Sequence, residues 1–186
     1  MKILFLSPQP FYQDRGTPIA IHMILKVLSA RRNRVDVITY PEGKDICIEN
    51  VKVYRTPALP FVRNIRPGFS WKKVVCDVFV LIYAFRLASQ RRYHLIHAVE
   101  ESVFIALLLK VFFKIPYVYD MDSSLPQQMI EKYSLLSPLL PILNFFEGLA
   151  IKNAKVTVPV CETLATEVRR RYGATKIVLL PDVSLV

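Results

Sequence analysis

Apolar residues in this chain fall in short runs whose period changes along its length. Residues 2–7 (KILFLS), 115–120 (IPYVYD) and 176–181 (KIVLLP) are near-continuous apolar runs of strand length. Residues 34–40, 51–55, 93–99 and 155–160 add four more β-like runs, making seven predicted strands. Between them the period lengthens to that of a helix. In 19–32, Ile21, Ile24, Leu25 and Leu28 share one face, and His22, Lys26 and Ser29 lie on another. The segment 71–92 is a long predicted helix with Val74, Val78, Leu81, Ile82 and Phe85 as its apolar stripe. The segment 102–113 is apolar nearly all round, which predicts a buried helix. Further helical patterns cover 126–133, 138–153 and 162–173, the last closing at Gly173.

Strands alternating with helices predict an α/β fold: a Rossmann-like doubly wound parallel sheet of about seven strands with helices on both faces. Continuous apolar strands suit a sheet covered on both sides. No internal repeat, low-complexity tract or linker divides the chain, so residues 1–186 read as one domain.

Composition narrows the class. Apolar residues make up 53%, which excludes a disordered chain. The net charge of +10 favours anionic partners such as phosphorylated substrates, anionic lipid or nucleic acid. Cys47, Cys76 and Cys161 have neither redox nor zinc spacing and read as reduced thiols. The opening MKILFLSP is too short for an export core. Lys110 breaks the run Val103–Phe113, and Pro138 and Pro141 break Leu135–Phe146, so no bilayer-spanning segment is expected. The expected location is cytoplasmic, peripheral on the inner face of the plasma membrane.

In parallel sheets of this kind ligands bind outside the carboxyl ends of the strands, near the point where strand order reverses. Four segments therefore carry the candidate chemistry. In the first loop, Gly16 frees the backbone, Thr17 suits a helix N-cap and Pro18 the first helical position. That helix start can receive a phosphate, with Arg15 adding charge, or can simply be a well-capped helix. In the second, His97 ends a strand, and Glu100 and Glu101 open the next helix as capping charges or as site groups. In the third, Asp120 reads as the turn residue closing its strand, while Asp122, Ser123 and Ser124 lie over the ligand edge. A carboxylate there can orient a hydroxyl or accept its proton. Finally, Phe61, Arg63, Arg66, Phe69, Trp71, Lys72 and Lys73 mix aromatics with cations, which suits a membrane interface or a solvated loop. No RNA-recognition signature accompanies them, and no nucleic acid partner is expected.

Taken in order, these pieces resemble the N-terminal domain of family 4 glycosyltransferases, retaining enzymes of the GT-B fold. The segments KILFLSPQP and DRGTPIAIHMILKVLSARRNRVDVITY look like that family's opening strand, glycine loop, helix and second strand. YHLIHAVEESVFIALLLKVFFKIPYVYDMDSS looks like its Asp-Val-Ile-His block, and VTVPVCETLATEVRRRYGATKIVLLPDVSLV like its Val-Ser-Glu helix and Pro-Asn-Gly segment. The resemblance implies one half of a GT-B fold in a hexosyltransferase-type enzyme. Gly16 and Thr17 would approach the donor diphosphate with Arg15. Asp122 and Glu100 would serve catalysis, and His97, Glu101, Ser123 and Ser124 would bind the acceptor. Asp122 stands where the family often has histidine, Val99 replaces the second histidine of a His-x-His block, and Asp182 and Val183 stand where Asn and Gly are usual.

The resemblance also implies a C-terminal donor-binding domain that is absent from these residues, supplied in cis or as a separate chain; alone, this part is expected to be inactive. The family's paired glutamates, eight apart, have no counterpart here. The implied reaction moves a sugar from a nucleotide-sugar donor to a lipid-linked or cell-envelope glycan at an anionic membrane surface. It uses no cofactor, the nucleotide sugar being a substrate, and no metal. The alternative is a non-catalytic membrane- or partner-binding module that retains the fold.

Overall fold

A computed structural model describes residues 1–13, 16–62, 64–65 and 70–181. Six strands pair, all parallel, in the order β3-β2-β1-β4-β5-β6: β1 Lys2–Ser7, β2 Arg34–Thr39, β3 Val51–Arg55, β4 Leu95–Val99, β5 Tyr117–Met121 and β6 Val156–Pro159. The chain builds outward from β1 to β3, then crosses back to β4 and builds the other way. Strand order therefore reverses between β1 and β4, where a crevice must open at the carboxyl edge. The seventh predicted strand, 176–181, forms a single bridge from Ile177 to Thr157 and three backbone hydrogen bonds to β6 rather than a ladder.

Helices α1 (Gly16–Ala30), α2 (Trp71–Gln90), α3 (Val103–Phe113), α4 (Leu125–Lys132), α5 (Leu140–Asn153) and α6 (Glu162–Tyr172) connect the strands, with 3-10 turns at Glu100–Ser102 and Ser134–Leu139. Side chains alternate between the two faces of each strand. Ile3, Phe5, Val35 and Val37 pack with Ile21 and Leu25 of α1 on one face. Leu4, Leu6, Ile38, Ile96 and Ala98 pack with α2, α3, α5 and α6 on the other. Every β1 residue from Ile3 to Ser7 is buried, and each such large apolar side chain contributes roughly 1.5–3 kcal/mol.

Caps set the helix ends. Ser70 accepts from Lys73 N to start α2, and Lys114 and Gly173 adopt left-handed backbone to end α3 and α6. The predicted faces need correction in two helices. Val74, Val78 and Ile82 of α2 point outward, and the buried face is Lys73, Cys76, Val80, Ala84 and Leu87. Similarly α3 buries Val103, Ile105, Ala106 and Leu109 but exposes Leu108, Val111 and Phe112. Both helices are apolar on two sides, so their period alone does not say which side packs. The run Ser134–Asn153 is also long and apolar enough, by length and composition, to cross a membrane, which the prolines did not predict.

Candidate functional site

The loop after β1 is held down by its neighbours. Thr39 Oγ1 donates to the Gln9 carbonyl at 2.6 Å, and Arg55 donates to the carbonyls of Phe11, Glu42 and Lys44. Gly43 crosses this loop at φ +125, where a Cβ would lie 2.4 Å from the Phe11 carbonyl. Across the crevice, Ser102 Oγ donates to the carbonyls of Val99 and Leu6, tying the turn after β4 back to β1. These bonds fix the two walls of the rim.

On the α1 side lies a cavity of about 330 Å³ lined by Thr17, Met23, Ile24, Asp120, Asp122 and Leu180 among others. The first loop and the third, far apart in sequence, thus face one space. Asp120, on its lining, belongs to a polar pair. His97 and Asp120 stand on adjacent strands, two register positions apart on the same face, with Nε2 and Oδ2 2.9 Å apart. The imidazole stacks on Phe5 with centroids 4.4 Å apart and planes 7° from parallel, which fixes its orientation. Asp120, expected to be a turn residue, lies inside β5, because the strand continues to Met121.

On the α2 side of the sheet, a group of acids surrounds one lysine. Lys73, buried at the start of α2, lies 3.6 Å from Glu100 and forms a closer ion pair with Glu101. Glu100 occupies left-handed backbone at φ 48, a conformation that costs a non-glycine residue of order 1 kcal/mol. Burial, and then the charges of Glu101 and Asp122, push its carboxyl up to about 8 against the pull of Lys73. Asp77 of α2 accepts from the Tyr40 hydroxyl at 2.6 Å; burial and the charge of Glu101 push it up to about 7. Burial alone would lower the Lys73 pKa, but Glu101 and Glu100 outweigh it, and the net shift is upward. Such a cluster can hold a proton near neutrality and offer both a donor and an acceptor to a hydroxyl.

The structure sorts the sequence-derived candidates. Thr17 and Asp122 line the cavity beside α1, and Glu100 lies close enough to Asp122 to feel its charge. His97 pairs with Asp120 rather than standing alone. Gly16 begins α1 without a left-handed φ, and an added Cβ would meet nothing within 4 Å, so the fold does not require glycine there. Thr17 falls in the first turn rather than at the cap, because the helix starts at Gly16, two residues before Pro18. Ser124 is buried and donates to Glu147 at 3.0 Å. Ser123 accepts from Gln128.

Among the residues assigned to a membrane surface, Phe61 and Trp71 are exposed and Lys72 is half-buried. Lys73 is not exposed: it turns inward to pair with the Glu101 carboxylate, 3.6 Å from Glu100, because a half-buried carboxylate needs a cation. Arg15, Arg63, Arg66, Phe69, Asp182 and Val183 lie outside the described residues. Sequence reasoning missed Asp77 and Glu147 and read Asp120 only as a turn residue. Glu147 accepts from Ser124 Oγ, Leu125 N and Tyr172 Oη, pinning the turn that carries Asp122. An acid in the apolar run of α5 was the available signal. Among the described residues, no group of three His, Cys, Asp or Glu is arranged to hold a metal ion.

The family model of Glycosyltransferase Family 4 matches residues 15–182. No curated protein sequence matches. Among solved structures, sucrose-phosphate synthase from Thermosynechococcus elongatus superposes with a TM-score of 0.71 at 18% identity, over 98% of this chain and 48% of that one. WaaG, a glycosyltransferase involved in lipopolysaccharide biosynthesis, gives 0.63 at 12% identity, over 96% and 44%. A UGT transferase from Siraitia grosvenorii, solved in complex with UDP, gives 0.62 at 11% identity, over 100% and 52%. The chain spans about half the length of these three proteins.

Proposed function

Because the chain belongs to Glycosyltransferase Family 4 and has the fold of one half of a GT-B enzyme, we propose that it forms the acceptor-side half of a glycosyltransferase. The enzyme moves a hexosyl unit from a nucleotide-sugar donor to a lipid-linked or cell-envelope glycan. The observation that carries this reading is the cavity that Thr17 and Asp122 line together. A second, donor-binding half, in cis or as a separate chain, closes over this rim.

In this reading the N-terminus of α1 directs its positive end at the departing diphosphate. Arg15 adds charge there. Asp122 accepts a hydrogen bond from the attacking hydroxyl, and Glu100, protonated near neutrality, donates one. The dyad of His97 and Asp120 and the carboxylate of Glu101 orient the acceptor sugar. No cofactor takes part. The protein works in the cytoplasm, at a membrane bearing the acceptor.

The test is a transfer assay with a full-length protein containing residues 1–186, using a panel of nucleotide sugars and a lipid extract. Asp122→Asn should lower kcat by about 10²-fold with little change in donor KM. Full transfer by that variant would remove Asp122 from the chemistry. No protection against heat by any nucleotide sugar would favour a non-catalytic module with the same fold.

A further inference from the structure

A soluble helical layer ordinarily turns its polar residues outward. The layer formed by α2, α3 and α5 does not. Trp71, Val74, Val78 and Ile82 recur on one face of α2, each at least 46% exposed. Val111 and Phe112 are 56% and 67% exposed on α3, and Ile142 and Phe145 are 54% and 66% exposed on α5. The preceding 3-10 turn adds Leu135, 90% exposed. The helices adjoin: Phe85 of α2 packs its ring edgewise to Phe112 and Phe113 of α3, and Lys110 of α3 donates to the Asn153 carbonyl of α5. The surface is one patch rather than scattered residues.

Charge on this patch has one sign. Helix α3 has no acid, α2 has only Asp77, which is bonded to Tyr40, and α5 has only Glu147, which is 1% exposed. Arg86, Lys114 and Lys152 are exposed on or at the ends of the same helices. An apolar face flanked by cations, with no exposed acid on α2, α3 or α5, complements anionic headgroups over acyl chains. It suits a second copy of this chain poorly, since two such faces bring like charges together. We infer that the outer face of the α2–α3–α5 layer lies in the surface of an anionic lipid bilayer, without spanning it.

Geometry places this face beside the rim. Helix α2 begins at the carboxyl edge, where Lys73 meets Glu100 and Glu101, so Trp71 marks the corner between bilayer and cleft. The surface differs from the one that the sequence suggested at residues 59–73, sharing only Trp71 and its immediate neighbours. The inference stands apart from sugar transfer, because vesicle binding is read without donor or acceptor.

Trp71 is the only tryptophan in the chain and serves as the probe. Vesicles of phosphatidylcholine containing phosphatidylglycerol should shift its emission to the blue, and brominated lipid should quench it. Phosphatidylcholine alone should bind more weakly. Combining Ile82→Glu, Phe112→Glu and Phe145→Glu should lower partitioning at least about tenfold, while Phe61→Glu leaves it unchanged. Should the triple variant not fold, quenching in the unaltered chain decides alone. Absence of any shift with vesicles, or equal binding by a folded triple variant, overturns the inference. So does concentration-dependent dimerisation that these substitutions abolish without vesicle binding, which would assign the face to a second copy.

Discussion

His97 Nε2 and Asp120 Oδ2 lie 2.9 Å apart on neighbouring parallel strands, and Asp120 lines the cavity that Thr17 and Asp122 share. Asp120→Ala leaves the half-buried imidazole without this partner. We expect a loss of about 1–3 kcal/mol in denaturant unfolding. Asp120→Asn, which keeps a hydrogen bond, should recover most of it. Equal stability of all three proteins would show that the pair holds nothing together.

The pKa of Glu100 gives stability a pH dependence of definite sign. Burial and its acidic neighbours raise the carboxyl from 4.5 to about 8. Between those values the folded state holds a proton that the unfolded chain has released. Stability from this group is therefore complete below about pH 4.5 and is lost as pH rises through about 8. Glu100→Gln should flatten the fall. Melting curves of both proteins from acid to mildly alkaline pH check this; a variant whose advantage does not grow with pH contradicts it.

Gly16→Ala separates a fold role from a ligand role. The added methyl meets nothing within 4 Å and the position is helical, so stability should be unchanged or rise by up to about 1 kcal/mol. A drop in transfer or in donor protection without loss of stability would place the donor against this residue. A drop in stability would show that the glycine serves the fold after all.

Gly43→Ala should do the opposite. At φ +125 its Cβ would collide with the Phe11 backbone, so the loop after β1 must move. We expect about 2 kcal/mol or more of destabilisation in denaturant titration. A variant as stable as its parent would mean that this crossing yields easily.

Glu147→Ala removes the acceptor of three hydrogen bonds and should cost about 2–3 kcal/mol. Since those bonds anchor the turn of Asp122, hydrogen exchange at residues 122–128 should rise more than elsewhere. Uniform exchange across the chain would show that Glu147 supports the whole fold and not this turn.

Much of the architecture is legible in the order of residues alone. Near-continuous apolar runs at 2–7 and 115–120 mark strands covered on both faces, and the alternation of strands with helical periods leaves little choice but a parallel sheet. The period of α1 identifies its buried Ile21 and Leu25, because one face is apolar and the other polar. The period of α2 points to the wrong side. With valines and isoleucines on two sides, it states that a helix forms but not which side packs.

The sequence by itself determined the element order, the parallel sheet and the edge where ligand-binding loops must gather, because those follow from local period and chain connectivity. Tertiary structure alone decided the partners. It set His97 against Asp120, turned Lys73 inward to Glu100 and Glu101, and left Trp71, Ile82 and Phe112 facing out. Side-chain burial and ion pairing depend on which distant segments meet, and a one-dimensional pattern holds no distances between them.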